Sequence, residues 1–474
     1  MCPDGGVEWF HDRASWTSKG EIRFGERVEG VESPPRGDST IRCRLASVAP
    51  RKEIPIRPIR NSGKPWLGKS GFMKRARAIA MKSAIVLASV LFSITCLEVL
   101  LRIYNPIESR VRGDRIVLPI QKTYVSKNET ISGLDQAITH TKNSLGFRGP
   151  EPPLDGEPTF SIITVGGSTT ECSLITDGKT WTDVFASHFN ESADNIWVNN
   201  AGLDGHSTFG HAVLAKDILL SIRPDLLVFL FGANDVGLKR PGEHTASQLK
   251  GPVRLDSVEG FLKSLAYRSE TVNLGINGMR IIRAKARGLD HTPIDLRSLD
   301  QLDNTEEYTE EVLNRHRKTF IPLFETRVND LVSVCIDNDI EVVLMTQPAL
   351  YGEGVDKTTG VDLARIEALP TLNGETAWGI LELYNETTRK IANDRQLLLV
   401  DLAHELPKDS RFFYDFLHYT NAGAREVGRI VAVRLESHIL GRLDELSLDN
   451  NEHEDTPLHE TCGEHRAINS GLNP

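Results

Sequence analysis

Short apolar runs alternate with segments of helical periodicity along the middle of the chain, between residues 160 and 440. Five runs rich in branched apolar residues have the length of buried strands, at residues 160–165, 196–199, 226–231, 340–345 and 397–402. Apolar residues recur at helical spacing between or after these runs, at residues 180–189, 209–222, 310–336, 377–393 and 421–440. The alternation predicts right-handed crossovers and an α/β fold, a three-layer α/β/α sandwich around a parallel five-stranded sheet.

One long segment interrupts the alternation, at about residues 237–308. It contains an amphipathic pattern at residues 258–287, where apolar positions are interspersed with basic ones. Insertions of this length often shape a substrate-binding cleft, but an extra packed helical hairpin fits the length equally well. A second loop, at residues 348–370, follows the fourth predicted strand and is placed to border the same cleft.

The strongest apolar run lies before this domain, at residues 83–101, and only Glu98 interrupts it. It is long enough to cross a bilayer as one helix. Residues 41–82 carry 12 Lys/Arg and a single acid, Glu53. The positive-inside rule therefore predicts a single-pass protein of the inner (cytoplasmic) membrane whose following domain is extracytoplasmic. Two alternatives are a cleaved signal peptide, although no small-residue cleavage pattern follows the run, and a buried core helix.

The flanking segments have no sustained period, and they define the remaining domain boundaries. Residues 1–72 are predicted to be disordered, and the basic start of residues 73–101 favours Met73 as the true start of an exported protein. The other segments are a stem and lead-in, the α/β domain and a disordered acidic tail, at residues 102–157, 158–440 and 441–474.

The charge is distributed unevenly, which bears on the partners that the protein can have. Residues 1–82 hold 17 Lys/Arg against 9 Asp/Glu, and the remaining residues hold 38 against 56. An acidic folded domain without a basic stripe argues against nucleic acid as a partner. The six cysteines include no CxxC pair, and His206 and His211 have poor spacing for a shared metal ion, so we expect no metal site.

Candidate chemistry begins directly after the first predicted strand, in the sequence GGST at residues 166–169. The two glycines allow a sharp turn and leave room for a ligand, while Ser168 opens the following helix. Taken alone, the motif is equally typical of a phosphate-binding turn, or of a serine that only caps a helix. The other motifs must therefore decide its role.

The sequence DFLH at residues 415–418 supplies the groups that a serine hydroxyl needs for activation. His418 is a candidate general base, and Asp415, three residues earlier, can fix its tautomer and stabilise the imidazolium. A lone DxxH is usually a surface pair. This one falls between the last predicted strand and the final helix, where a loop returns to the carboxyl edge of the sheet.

Two further motifs follow the second and third predicted strands, NAGLDG at residues 200–205 and GAND at residues 232–235. Gly205 can offer a backbone amide and Asn234 a side-chain amide to a developing oxyanion, together with the amide of Ser168 itself. Taken singly, a plain turn glycine and an Asx-turn explain these two residues better. The occurrence of all four motifs in this order favours an acyl-transferring serine hydrolase.

In kind and order, the four motifs resemble the blocks of the SGNH (GDSL-type) hydrolase superfamily, which contribute Ser, Gly, Asn and His. The resemblance implies a flavodoxin-like sandwich, ester hydrolysis or O-acyl transfer, and no cofactor. GGST departs from the literal GDSL string, and Glu171-Cys172 replaces the small residues common in relatives, so the turn after Ser168 is expected to differ in shape. The apolar run and NSLGFRG, at residues 143–149, resemble membrane-tethered bacterial members.

The sequence thus predicts a membrane-anchored extracytoplasmic esterase with Ser168, Asp415 and His418 as its triad and Ser168, Gly205 and Asn234 as its oxyanion hole. The expected substrate is an acylated small molecule or carbohydrate, first of all an O-acetyl ester, and this expectation comes from the resemblance alone. One alternative is an O-acyltransferase that uses the same triad to move acetyl to a polysaccharide. Another is a non-catalytic envelope binding protein on the same fold.

Overall fold

A computed structural model of the protein describes residues 69–104, 111–112, 115–153, 159–189, 195–239, 265, 268–286 and 291–454. Its strands are β1 Val111–Arg112, β2 Arg115–Ile116, β3 Lys122–Lys127, β4 Ala137–Lys142, β5 Phe160–Gly166, β6 Ile196–Asn200, β7 Leu226–Leu230, β8 Glu341–Met345, β9 Glu367–Leu369, β10 Leu372–Asn373 and β11 Leu398–Val400. Its α-helices are α1 Lys69–Ile103, α2 Ser168–Glu171, α3 Trp181–Ser187, α4 Thr208–Leu214, α5 Leu220–Ile222, α6 Glu270–Ala286, α7 Glu306–Thr319, α8 Ile321–Ile336, α9 Gly374–Asp394, α10 Leu402–Glu405 and α11 Asn421–Glu454.

The central sheet has five parallel strands in the order β11-β8-β7-β5-β6, so the predicted three-layer α/β fold is confirmed. When these five strands are numbered 1 to 5 along the chain and read from the β6 edge, their order is 2-1-3-4-5. This is the flavodoxin-like arrangement. The order reverses beside β5, the first strand of this sheet along the chain. A cleft at the carboxyl edge is therefore expected next to the residues that follow β5.

Alternate strand residues enter two separate cores, because successive side chains point to opposite faces. On one face, Ile162 and Val228 pack with Trp181 of α3 and Val427 of α11. On the other face, the strands pack against α4, α8 and α9, where Phe324 is fully buried. Both faces are covered, which explains why the strands read as continuous apolar runs.

Local sequence signals set several helix ends. Thr180 and Asp183 form a capping box at the start of α3, and the Asn373 side chain accepts from the Thr376 backbone N–H at the start of α9. The single helix predicted at residues 310–336 is instead two helices, α7 and α8, that meet at Phe320. Pro322 lies in the first turn of α8, where it ends the preceding helix because it lacks a backbone N–H and cannot continue the hydrogen-bond ladder.

Two predicted segment boundaries differ from the helix ends in the structure. Helix α11 continues to Glu454, so the predicted disordered tail at residues 441–474 is wrong for its first part, and residues 455–474 lie outside the described residues. The segment predicted to be disordered at residues 1–72 overlaps the start of α1 at Lys69, and residues 1–68 lie outside the described residues. Of the predicted amphipathic insertion, α6 is the described helical part.

Helix α1 is long and apolar enough, over Met73–Ile103, to cross a membrane. Only 6% of the apolar 18-residue window within this helix is buried, and large apolar side chains such as Ile85 and Phe92 are exposed. The alternative of a buried core helix is therefore wrong, because a core helix hides such side chains from solvent.

Candidate active site

Ser168 is the first residue of α2 and follows β5 directly. The glycine before it has a steric reason: a Cβ on Gly167 would lie 2.4 Å from Nδ2 of Asn234. Any other residue at position 167 would push the Asn234 amide away from Ser168. The GGST motif therefore brings the third motif block against the first, as well as turning the chain.

Ser168, His418 and Asp415 form one hydrogen-bonded chain. The distance from Nε2 of His418 to Oγ of Ser168 is 2.7 Å, and from Nδ1 of His418 to Oδ2 of Asp415 it is 2.6 Å. The other carboxylate oxygen of Asp415 accepts from the backbone N–H groups of Leu417 and His418, at 2.8 and 2.7 Å. Both oxygens are used, so the carboxylate fixes the orientation of the imidazole.

The environment of Asp415 keeps its carboxylate charged. Burial favours the neutral form, but the hydrogen bond and charge of His418 and the backbone N–H groups of His418 and Leu417 outweigh it, so the pKa of Asp415 is lowered. The group is consequently ionised at neutral pH. An ionised carboxylate beside Nδ1 favours the tautomer whose Nε2 can accept a proton from Ser168.

Gly205 lies in a turn with φ +72°, a conformation that glycine adopts without strain. We use the name Gly205 turn for residues 203–206. Its flanks are tied to both neighbouring motifs: the backbone N–H of Asp204 donates to Glu171 at 2.7 Å, and the carbonyl of His206 accepts from Nδ2 of Asn234 at 3.0 Å. The Asn234 amide carries a second hydrogen, which can be donated to a different acceptor.

The structure thus brings together all five residues that the sequence singled out, and it shows further residues that hold them. Asp235, the last residue of GAND, is buried, and its carboxylate accepts from the backbone N–H and hydroxyl of Thr208 at the start of α4. Arg327 of α8 also donates to it, at 3.2 Å. Asp235 therefore locks the asparagine block to the glycine block, a role that the position of GAND alone does not reveal.

The turn that carries Ser168, residues 166–172, is held by side chains from the lead-in segment; we call it the Ser168 turn. Arg148, which is 2% exposed, donates to the carbonyls of Glu171 and Cys172 at 2.9 and 2.7 Å. Lys142 of β4 lies with its Nζ 3.4 Å from the carboxylate of Glu171, and both side chains are almost fully buried. The NSLGFRG motif thus has a structural role, since Arg148 belongs to it.

His291, at the end of the insertion, is a site residue that sequence reasoning missed. Its ring centroid lies 4.2 Å from that of His418, and its Nδ1 is 2.8 Å from the hydroxyl of Tyr414. The Tyr414 ring stacks on His418 with an interplanar angle of 13°. An isolated histidine in a long insertion offers no sequence signal, because Tyr414, which its ring contacts, lies 123 residues away along the chain.

A shallow cleft of about 210 Å³ opens beside Ser168. Besides Ser168, His418 and His291, its lining comprises Thr169, Cys172, Ser173, Leu174, Ile175, Tyr414 and Tyr419. Burial raises the pKa of the Cys172 thiol to about 12, so this cysteine stays protonated and unreactive.

Two groups of titratable residues invite a test as metal sites. His206 and His211 have ring centroids 6.2 Å apart, and burial, with the charge of His206, lowers the pKa of His211 to about 3, as in a neutral core histidine. Among the described residues, His291, Asp415 and His418 have potential ligand atoms within 4.8 Å of one another. Their contacts with Ser168, with Tyr414 and among themselves make this a hydrogen-bonded cluster.

A hydroxyl, an imidazole and a carboxylate in series, at the carboxyl edge of a doubly wound sheet, are typical of serine hydrolases with an α/β fold. Residues 163–426, more than half of the chain, match the model of the GDSL-like lipase/acylhydrolase family. The chain belongs to this family and is an SGNH-type esterase, as the four motifs predict.

Solved structures with a similar fold include an acetyl xylan esterase, 16% identical, which aligns over 57% of this chain and 97% of its own with a TM-score of 0.33. A GDSL-like lipase from Parabacteroides merdae is 12% identical over 60% and 98%, with a TM-score of 0.34. A catalytic mutant of an acetylxylan esterase from Geobacillus stearothermophilus is 13% identical over 60% and 96%, also with 0.34. No curated protein matches the chain in sequence.

Proposed function

We propose that this protein is a membrane-anchored, extracytoplasmic serine esterase in which Ser168 is the nucleophile, His418 the general base and Asp415 the residue that orients it. The observation that carries this proposal is the uninterrupted series of hydrogen bonds from Ser168 through His418 to Asp415, at 2.7 and 2.6 Å. Both distances lie within the range in which a base can remove the proton of a hydroxyl.

The reaction follows from this arrangement. As Oγ of Ser168 forms a bond with the ester carbonyl carbon, its proton passes to Nε2 of His418, and Asp415 stabilises the imidazolium. The tetrahedral intermediate then breaks its bond to the alcohol oxygen, which takes the proton from His418. Water, deprotonated by His418 in the same way, attacks the acyl-enzyme and releases the acid and Ser168.

The donors to the oxyanion in this proposal are the backbone N–H groups of Ser168 and Gly205 and the side-chain amide of Asn234. Asn234 donates one amide hydrogen to the His206 carbonyl, and this hydrogen bond fixes the direction of the other amide hydrogen. The steric fit of Gly167 against Nδ2 of Asn234 brings this amide next to the Ser168 turn. Such fixed donors stabilise charge that develops only in the transition state.

The size of the cleft supports a short acyl group. The turn from Cys172 to Ile175 borders a small, shallow cleft beside Ser168, which favours an acetyl group over a fatty acyl chain. The resemblance of the four blocks to SGNH enzymes directs attention to O-acetylated carbohydrate as the substrate class to test first.

Anchoring in the membrane is supported by the exposure of α1. Its one acidic residue within the apolar run, Glu98, lies near the end of the helix and accepts hydrogen bonds from the hydroxyl of Ser269 and the backbone N–H of Thr271, at 2.8 and 3.0 Å. The carboxylate thus caps the start of α6, which explains a charge at the extracytoplasmic end of the span. The basic residues before α1 support an inside N-terminus.

The test uses the full chain in detergent with a series of p-nitrophenyl esters and a fluorophosphonate probe. We expect acetate to be the preferred ester, and labelling at Ser168 that Ser168→Ala abolishes together with turnover. Unchanged turnover in Ser168→Ala refutes the nucleophile, and a lack of labelling of the folded wild-type protein supports a non-catalytic role. Adding a sugar acceptor separates hydrolysis from transfer, because a transferase forms acyl-sugar faster than free acid.

A further inference from the structure

His291 contacts the imidazole that the proposed mechanism uses, although it comes from the insertion and not from any of the four motif blocks. The centroids of the His291 and His418 rings are 4.2 Å apart with an interplanar angle of 46°. The edge of the His418 ring is occupied by Asp415 and Ser168. His291 therefore packs against the ring of His418 without competing for its nitrogen atoms.

Both nitrogen atoms of His291 face partners that fix the ring. Nδ1 is 2.8 Å from the hydroxyl of Tyr414, and Nε2 is 3.5 Å from the carboxylate of Asp204. The hydroxyl can donate to a neutral His291 or accept from a protonated one, so this contact serves both states. Asp204 directly precedes Gly205, so His291 connects the ring of the general base with the turn that bears an oxyanion donor.

The charged and titratable groups around His291 come from three parts of the fold. Asp204 faces it from the Gly205 turn, Glu171 from α2, and Tyr414, Asp415 and His418 from the loop before α11. Burial opposes a charge on the ring, but the hydrogen bond and charge of Asp204, with the charges of Asp415 and Glu171, raise the pKa of His291 above its ordinary value. His291 is therefore protonated at a higher pH than an ordinary imidazole.

We propose that His291 is a positioning residue for the general base: its neutral ring holds His418 in line with Ser168 and Asp415, and its protonated ring opposes the charge that His418 must acquire. This inference rests on the proposed function. An imidazolium on His418 is favoured by the π-face of a neutral neighbour and disfavoured by a second cation a few ångströms away. His291 therefore makes hydrolysis fail at a higher pH than protonation of His418 alone requires.

The pH dependence of kcat/KM tests this inference, because packing alone changes the rate by the same factor at every pH. The full chain in detergent is assayed with p-nitrophenyl acetate, and the rate of fluorophosphonate labelling provides an independent measurement. For the wild-type protein we expect an acid limb with a limiting slope of about two, one proton for each histidine. His291→Gln retains hydrogen-bonding groups and His291→Phe retains a ring, and neither titrates.

In both variants we expect the slope to fall to about one and the limb to move to lower pH by about one unit, a roughly tenfold gain relative to wild type at the same acidic pH. His188→Gln, which changes a histidine paired with Glu436 on the outside of the domain, should leave the limb unchanged. An unaltered limb in folded His291→Gln and His291→Phe overturns the inference while the proposed function persists. Turnover that survives in Ser168→Ala overturns both.

Discussion

The two sides of the site are held by different kinds of contact. On the Ser168 side, Arg148 and Glu171 are 2% and 0% exposed and bind backbone groups of the Ser168 and Gly205 turns. On the imidazole side, His418 and Asp415 are 17% and 13% exposed, and His418 is packed by the rings of His291 and Tyr414. Buried charge-assisted hydrogen bonds hold the Ser168 side, whereas the imidazole side combines one such bond, between His418 and Asp415, with the packing of partly exposed rings.

This difference matches the different requirements of the oxyanion donors and of the imidazole. The oxyanion donors must be in place before charge develops, because their advantage is lost if they have to reorganise. The imidazole must accept a proton from Ser168 and later deliver it to the leaving alcohol, which requires a small adjustment of the ring. The predictions that follow test each side in turn.

The largest effect is expected on the imidazole side, from Asp415→Asn. The amide donates where the carboxylate accepts, so Nδ1 loses its proton and Nε2 can no longer act as the base; kcat should fall by about 10⁴-fold. Turnover of p-nitrophenyl acetate and circular dichroism of the folded variant measure this effect. A loss of less than about tenfold means that another carboxylate orients the imidazole.

Asn234→Ala tests the opposite side and should lower kcat by about 10²–10³-fold with little change in KM, because its amide acts on the oxyanion. The fold is expected to stay intact, since within the described residues the side chain donates to a single group, the carbonyl of His206. Steady-state kinetics with the acetate ester separate the two parameters. If KM rises while kcat is preserved, Asn234 binds the ground state and is not an oxyanion donor.

Glu171→Gln probes the buried support of the Ser168 side. Glutamine still accepts from the Asp204 N–H but leaves the Lys142 ammonium without its buried counter-charge, so we expect a loss of about 3 kcal/mol in stability and about tenfold in kcat. Thermal unfolding and turnover measure both. Glu436→Gln on the surface is the matched control and should change neither; equal effects in the two variants contradict a specific role for Glu171.

The smallest effect is expected from Glu98→Gln, a change in α1 outside the proposed catalytic machinery. It weakens the cap on α6 by about 1 kcal/mol and should speed hydrogen exchange in the first turn of that helix, with turnover nearly unchanged. Exchange measured by mass spectrometry on the full chain in detergent detects it. Unchanged exchange in α6 would remove the proposed link between the anchor and the insertion.

The sequence alone determined the layered fold and the sheet strands, and it singled out the candidate residues of the triad. Strand and helix periods are local properties, and parallel strands place every residue that follows them at one edge, so motifs distant in sequence can be predicted to meet. The break between two helices at Phe320 could also be predicted from the sequence, because Pro322 follows it, although the length of the helical pattern obscured this signal. The length of α11 could not be predicted from the sequence, because polar residues can extend a helix without an apolar period.

Only the tertiary structure revealed the groups that support the triad. Arg148 and Glu171 are 23 residues apart, and Ser168 and His418 are 250 apart, so their contacts depend on how whole elements pack. His291 carries no local signature, since an imidazole acquires its role from Tyr414, Asp204 and His418, which other parts of the chain bring to it. Periodicity and motifs specify the elements, while burial and charge in the folded state decide what each side chain does.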